Sequence, residues 1–294
     1  MSVSRETSRG QATVRQLCVA FGLSRQAYYA AQRAPEDRKR GPRASRPGPW
    51  STAVELEAGI RRVVAANPAW GVRKVWATLR REGLVAGRNR VWAMMQKLGL
   101  VLPPMREREG PAIRGQVAVE SSNRRWASDL TTVWTRRDGV VAIVPVVDCG
   151  DRVALEIGVG KSQESPAVLA PTERALWNEF GRPSAVPDGL EYRTDHGPQY
   201  TGDDCGTLCE RWGLEHTFAP VGRPTGNAVA ERLIQTLKIE LIWTQDWESE
   251  EEVALAVRAW QLRYNTARPH QALGWQTPAE RRAKNLGEPT RAIA

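Results

Sequence analysis

The groups in this chain best suited to chemistry are carboxylates. Asp195 sits in RTDHGPQYTG, residues 193–202, where an extended stretch runs into a Gly-Pro turn. Alone, that stretch admits an ordinary tight turn, a histidine-based acid/base pair through His196, or a carboxylate that holds a metal. Asp129 interrupts the strand-like run RWASDLTTVWT, where a charge between Ala127 and Leu130 is costly without a partner. Glu231 lies near the start of a helix whose Val229, Leu233, Ile234 and Leu237 are apolar, behind the approach GRPTGN. Three carboxylates at the mouth of one sheet repel each other unless a cation sits between them. Hard oxygen donors suit Mg²⁺ or Mn²⁺. Two such ions about 4 Å apart activate an attacking oxygen and stabilise a leaving one in phosphodiester chemistry.

Competing chemistries have less support. Cys205 and Cys209 form a C-x3-C with His196 and His216 nearby, which raises zinc. The same spacing on DDCGTLCERWG is also one helix face, where buried free thiols are the ordinary case. Four cysteines in 294 residues suit a reducing compartment. There is no G-x-S-x-G, and His216 has no nucleophile in a matching elbow, so a Ser-His-Asp hydrolase is poorly supported. Asp148, after VVAIVPVV, could stand behind a metal site or cap a turn.

Carboxylates from distant positions need a sheet to gather them, and the pattern after Asn123 supplies one. RWASDLTTVWT, VVAIVPVVDC and RVALEIGVG read as three strands, the first two joined by a turn at 137–139. A helix (ESPAVLAPTERALWNEFG), a strand (LEYRTD), a helix (DDCGTLCERWG), a strand (LEHTFAP) and two long helices (NAVAERLIQTLKIELI, EEEVALAVRAWQLRYN) follow. The expected fold is an α/β sheet covered by helices.

Upstream, everything reads as helix or linker. Residues 13–32 have the pattern of a helix-turn-helix, with Val14, Leu17, Cys18 and Phe21 on one face, Ser24 as a cap, and Arg25 opening the second helix. Three helices are expected between Thr52 and Leu102, with Trp76, Trp92, Met94 and Met95 as core and Arg73, Lys74, Arg88 and Arg90 outward, available to DNA phosphates. Pro-, Gly- and Arg-rich linkers fall at 33–50 and 103–115, which divides the chain into 1–50, 51–115 and 116–294. Residues 1–120 carry 22 Lys and Arg against 9 Asp and Glu, whereas the remainder carries 20 against 24. A basic N-terminal part fits nucleic acid and an acidic remainder fits metal ions. Hydrophobic residues at 41% and charged residues at 26% are those of a globular protein. No apolar run approaches the roughly 18 residues of a membrane span, and the N-terminus lacks a signal peptide core. The expected location is the cytoplasm.

Spacing narrows the reading. Between Asp195 and Glu231 lie 35 residues, and Lys238 stands seven after Glu231. With W-x-x-D-x-T at 126–131, DHGPQY at 195–200, GNAVAERLIQTLKIE at 226–240 and RPHQALGWQTPAE at 268–280, this resembles the D, D, 35, E signature of the retroviral integrase and bacterial transposase superfamily. More particularly, nearly the whole chain is similar to the second reading frame product of IS3-family insertion sequences. Two departures stand out. Family members commonly show a serine where Pro198 stands, and an aspartate-asparagine pair where this chain has Ala228 and Val229.

The resemblance implies a ribonuclease H-like integrase core preceded by all-α helix-turn-helix units. It implies that Asp129, Asp195 and Glu231 are catalytic and hold two Mg²⁺ or Mn²⁺ ions. Lys238 would touch the element's DNA end, His196 would be structural or contact DNA, and His270 would pack or contact DNA. The implied activity is DNA transposition: binding of terminal inverted repeats, 3′-end cleavage and strand transfer through a circular intermediate. The implied partners are double-stranded DNA, a second copy of the chain and the first reading frame product, at the bacterial nucleoid. A DNA-binding regulator that no longer catalyses, and a structure-specific nuclease or ribonuclease H, are the alternatives.

Overall fold

The computed structural model describes residues 6–7, 10–11, 13–25, 28–29, 50–103, 119–219 and 227–287. It divides into two compact units, Met1–Pro49 and Trp50–Ala294. In the first, strands β1 (Glu6–Thr7) and β2 (Gly10–Gln11) pair antiparallel ahead of helix α1 (Val14–Ala20). Thr13 and Gln16 cap α1 reciprocally, satisfying donors the first turn leaves open. Leu17 and Cys18 are buried, while Phe21, expected on the same face, is 59% exposed. Arg25 is exposed, and Gln26 and the linker at 33–49 lie outside the described residues.

The second unit begins with three helices, α2 (Ala53–Ala66), α3 (Val72–Arg81) and α4 (Arg88–Lys97). Leu56, Ile60, Val63, Val75, Leu79, Val91 and Met95 form their common core. A methyl group on Gly59 would stand 2.8 Å from Leu79, so α2 and α3 cross where only glycine fits. The indole of Trp76 donates to the Ala86 carbonyl at 3.0 Å and is half-buried. Trp92 is not core: it is 46% exposed, because its position on α4 falls between the buried Val91 and Met95 stripe and solvent.

Six strands make the main sheet: β3 (Arg125–Ser128), β4 (Thr131–Thr135), β5 (Gly139–Asp148), β6 (Ala154–Gly160), β7 (Glu191–Thr194) and β8 (Glu215–Phe218). Ser128 faces Val146 and Thr131 faces Ile143, so β3 and β4 continue one antiparallel register along β5 and are broken only at Asp129 and Leu130. β6 pairs antiparallel on the other edge of β5, and β7 and β8 add in parallel beyond β3. The long, nearly all-apolar β5 is therefore central and buried on both faces, as its sequence requires.

One face is covered by helix α5 (Ser165–Phe180), the short α6 (Pro198–Thr201) and α7 (Asp203–Trp212), around Trp126, Val144, Leu176, Tyr192 and Trp212. The other is covered by α8 (Ala228–Glu240) and α9 (Glu250–Thr266), around Ala127, Ile143, Leu233, Leu237 and Trp260. The RPHQALGWQTPAE stretch leads into a further helix, α10 (Pro278–Leu286), capped by Thr277 and Glu280. Against this segment lies α3: Arg81 donates to both carboxylate oxygens of Glu280 at 2.8 and 2.5 Å, and Trp76 meets Trp275 edge-on at 6.0 Å.

Candidate active site

Asp129 stands at the break between β3 and β4, where the ladder to β5 is interrupted and the side chain is half-buried. Its Oδ1 accepts the Leu130 amide at 2.8 Å. Asp195 follows the last residue of β7, the parallel neighbour of β3, and is exposed. Its Oδ1 accepts the Gly197 amide at 3.0 Å, and a methyl group on Gly197 would sit 3.0 Å from that same oxygen. Pro198 occupies the first turn of α6, where its missing N–H costs nothing and its fixed φ starts the helix. Behind it, the buried Tyr200 hydroxyl lies 3.2 Å from Ser128 Oγ and ties α6 to the end of β3.

Glu231 is brought in by α8. Asn227, the residue before the first turn of that helix, donates its side-chain amide to the Ser128 carbonyl at 2.9 Å, fixing the helix start to the strand break beside Asp129. Asn227 was not singled out in the sequence reading; its only signal was a Gly-Asn pair ahead of an apolar helical period. Burial pushes the Asp129 carboxyl up to about 6, its hydrogen bond from Leu130 opposes this, and the charges of Asp195 and Glu231 raise it further while Lys238 lowers it. These four side chains are thus within electrostatic reach of one another. Among the described residues, no arginine or lysine forms an ion pair with Asp129, Asp195 or Glu231.

The other candidate residues disperse. His196, next to Asp195 in the chain, is exposed and stacks on Phe218 with ring centroids 4.8 Å apart. Lys74 does not face solvent as an outward cation: its ammonium pairs with Glu240 of α8 at 2.7 Å, and Arg268 binds the same carboxylate at 3.0 Å. The adjacent Arg73 is exposed and reaches Gln271 at 3.4 Å, whereas Arg88 is exposed and Arg90 half-buried on α4. His270 is packed edge-on against Tyr264 at 4.8 Å, accepts from Arg268 at 3.1 Å, and is held neutral, with its pKa lowered to about 2 by burial and the Arg268 charge. Asp148 belongs to a different cluster with Asp151 and Arg282. Cys205, Cys209 and His216 do come together, with ligand atoms within 4.8 Å of one another; His196 does not join them, and His216 Nε2 is 3.0 Å from the Thr194 hydroxyl.

The mixed sheet thus places Asp129 and Asp195 at the ends of the adjacent strands β3 and β7, and Glu231 in the first turn of α8. Sequence profiles of the integrase core domain match residues 119–224 and 212–278, and an HTH-like domain profile matches 51–108. The transposase for insertion sequence element IS629 of Shigella sonnei is 30% identical over 285 residues, covering 92% of each chain. Transposase InsD of Escherichia coli insertion element IS2 is 30% identical over 237 residues, covering 75% of this chain and 76% of its own. A chain of the simian T-cell lymphotropic virus intasome aligns with 80% of this chain and 76% of its own at 16% identity and a TM-score of 0.46. The chain belongs to the IS3-like insertion-sequence transposases, within the DDE transposase and integrase superfamily. Its class of activity is polynucleotidyl transfer on DNA. Among the described residues, no helix is long and apolar enough to cross a membrane.

Proposed function

We infer that the chain carries out metal-dependent 3′-end cleavage and strand transfer at the terminal inverted repeats of a mobile element, with Asp129, Asp195 and Glu231 as the catalytic metal ligands. The observation that supports this reading is that Asp195 and Glu231 lie within electrostatic reach of Asp129 while, among the described residues, none of the three makes an ion pair. The donor set fits Mg²⁺ or Mn²⁺: all three residues offer hard oxygens, and two of them are exposed. Two ions, when bound, would supply an activated water or 3′-hydroxyl and charge neutralisation at the leaving oxygen.

The chain's own groups set the geometry around them. The Leu130 and Gly197 amides each occupy one carboxylate oxygen, of Asp129 and Asp195, which orients the free oxygen outward. Lys238, two helical turns from Glu231, is placed to meet a phosphate of the bound end. Exposed Arg88 with Arg90 on α4, Arg73 on α3, and Arg25 in the first unit are the proposed phosphate contacts of the helix-turn-helix regions, with His196 at the rim of the site. Lys74 is omitted, because an ammonium already held by Glu240 has little left for DNA. Two element ends call for at least two copies of the chain on DNA, working with the first reading frame product.

The test is end cleavage by the full chain on a duplex carrying the terminal repeat, with Mg²⁺. Asp129→Asn, Asp195→Asn and Glu231→Gln should each lower the rate at least about a thousandfold while leaving duplex binding in place. Unchanged cleavage in any one of them removes that residue from the ligand set.

A further inference from the structure

Beyond Lys238, the chain leaves α8 and runs along the free edge of β4, where Trp247 bridges Thr135 and the Arg136 amide donates to the Trp247 carbonyl at 3.0 Å. This lays a groove of about 420 Å³ between Thr132, Val133 and Trp134 on one side and Ile242, Trp243 and Gln245–Trp247 on the other, with Asp246 as its one acidic lining residue. Two of its residues are tryptophans in water: Trp134 is 63% and Trp243 68% exposed. Large aromatic surfaces left open in this way mark binding sites more often than neutral surface.

The charges around the groove say what would sit there. At the end nearer the carboxylates, Lys238 Nζ lies 6.0 Å from the Trp243 ring. At the other end, Arg136 is exposed, with Asp246, itself exposed, as a partner at 3.1 Å, and Arg137 follows directly. Cations at the two ends of a groove with open aromatic rings between them suit a single nucleic-acid strand, phosphates on the cations and bases on the rings. The groove also continues the path from the carboxylates. Lys238 is about 10 Å along α8 from Glu231, and Trp134 is about 16 Å along the strand from Asp129. That is roughly four or five nucleotides of a stacked strand.

We propose that this groove holds a few unpaired nucleotides of the DNA strand leaving the carboxylate site, with Trp243 and Trp134 as base-stacking platforms. The proposal rests on the strand-transfer reading above, and it assigns the tryptophans to binding rather than to catalysis. An opened end held there cannot re-pair while the 3′-hydroxyl is in use.

The experiment compares the full chain with Trp243→Ala, Trp134→Ala, the double variant and Trp243→Phe, by fluorescence anisotropy on a labelled 15-nucleotide oligothymidylate and on a duplex of equal length. Each alanine should weaken single-strand binding about tenfold and duplex binding less than threefold, and Trp243→Phe should restore most of the loss. Photo-cross-linking of a 5-iodouracil oligonucleotide should label Trp243 or Trp134. Single-strand affinity in the double variant within twofold of the parent overturns the proposal, as does a loss of self-association in ultracentrifugation with oligonucleotide affinity intact, which would give the groove to a second copy. Cleavage by Asp195→Asn, run in parallel, separates the two readings: normal Trp variants with a dead Asp195→Asn sink the groove alone, and the reverse sinks the metal assignment alone.

Discussion

Two acidic clusters flank β3, and they are built on opposite principles. Toward its start, Asp148 and Asp151 are fully buried, and with Glu179 they surround Arg282 of α10, which donates to Asp151 at 2.8 Å and also to Glu179. Ser122 and the Asn123 and Gly150 amides supply further hydrogen bonds, so the cluster carries its own cation and donors. At its end, Asp195, Glu231 and Lys238 lie within electrostatic reach of Asp129, and among the described residues none of the three carboxylates makes an ion pair. A cluster that brings its own cation is finished on folding; one that does not is open to a cation from solution.

The comparison breaks most sharply at Arg282. Replacing it with methionine leaves three inward carboxylates unpaired and should cost about 3–5 kcal/mol, measured as a fall in the urea midpoint. Lys238→Met should move that midpoint by less than about 0.5 kcal/mol, since its surroundings stay wet. If the two variants proved equally unstable, the contrast between a closed and an open cluster would be wrong.

Metal addition sharpens the same contrast. Mn²⁺ at a hundred times its dissociation constant should stabilise the chain by about 2.7 kcal/mol. The gain should vanish in Asp195→Asn and persist in Asp151→Asn, as read by thermal melts with and without the ion. A smaller change tests the backbone at Asp195: Gly197→Ala puts a methyl group 3.0 Å from Asp195 Oδ1 and 2.9 Å from Gln199 Oε1. Cleavage should fall about tenfold, roughly 1.4 kcal/mol in the barrier, with little change in melting.

The smallest effect is a pH dependence. Burial, and then their mutual repulsion for Asp148, hold the carboxyls of Asp148 and Asp151 above their usual range in the folded state. The protonated forms therefore favour the fold, and this contribution is complete below the unfolded pKa near 4 and lost as pH climbs through about 6 for Asp148. Asp148→Asn should flatten the decline in stability between about pH 4 and 6 in urea titrations. An identical slope in parent and variant would show that Arg282 already cancels the burial.

Legibility followed the range of the interaction. The strands and helices of the sheet domain were readable because alternation and the 3.6-residue period are local, and the 35-residue interval from Asp195 to Glu231 is itself written in the sequence. Pairings made across the chain left no local mark. Nothing around Asp148 announces Arg282, 134 residues away, and an amphipathic helix looks the same whether Lys74 faces solvent or Glu240. Asn227 was hidden for a related reason: its amide serves a carbonyl on β3, not its own helix. Trp92 misled because an indole in a helical period reads as core even where the helix turns it outward.

The clamp between α3 and the segment ahead of α10 has a consequence in time. Arg81 and Glu280 are 199 residues apart, and Lys74 and Glu240 are 166 apart. At synthesis rates of roughly 5–20 residues per second, the helical unit waits about 10–40 s on the ribosome before Glu280 exists to receive Arg81. During that wait Arg81 and Trp76 are uncovered beside the transcript that encodes them. The helical unit reaches its docked state only once α10 has emerged, so an interrupted translation yields that unit with its docking face bare.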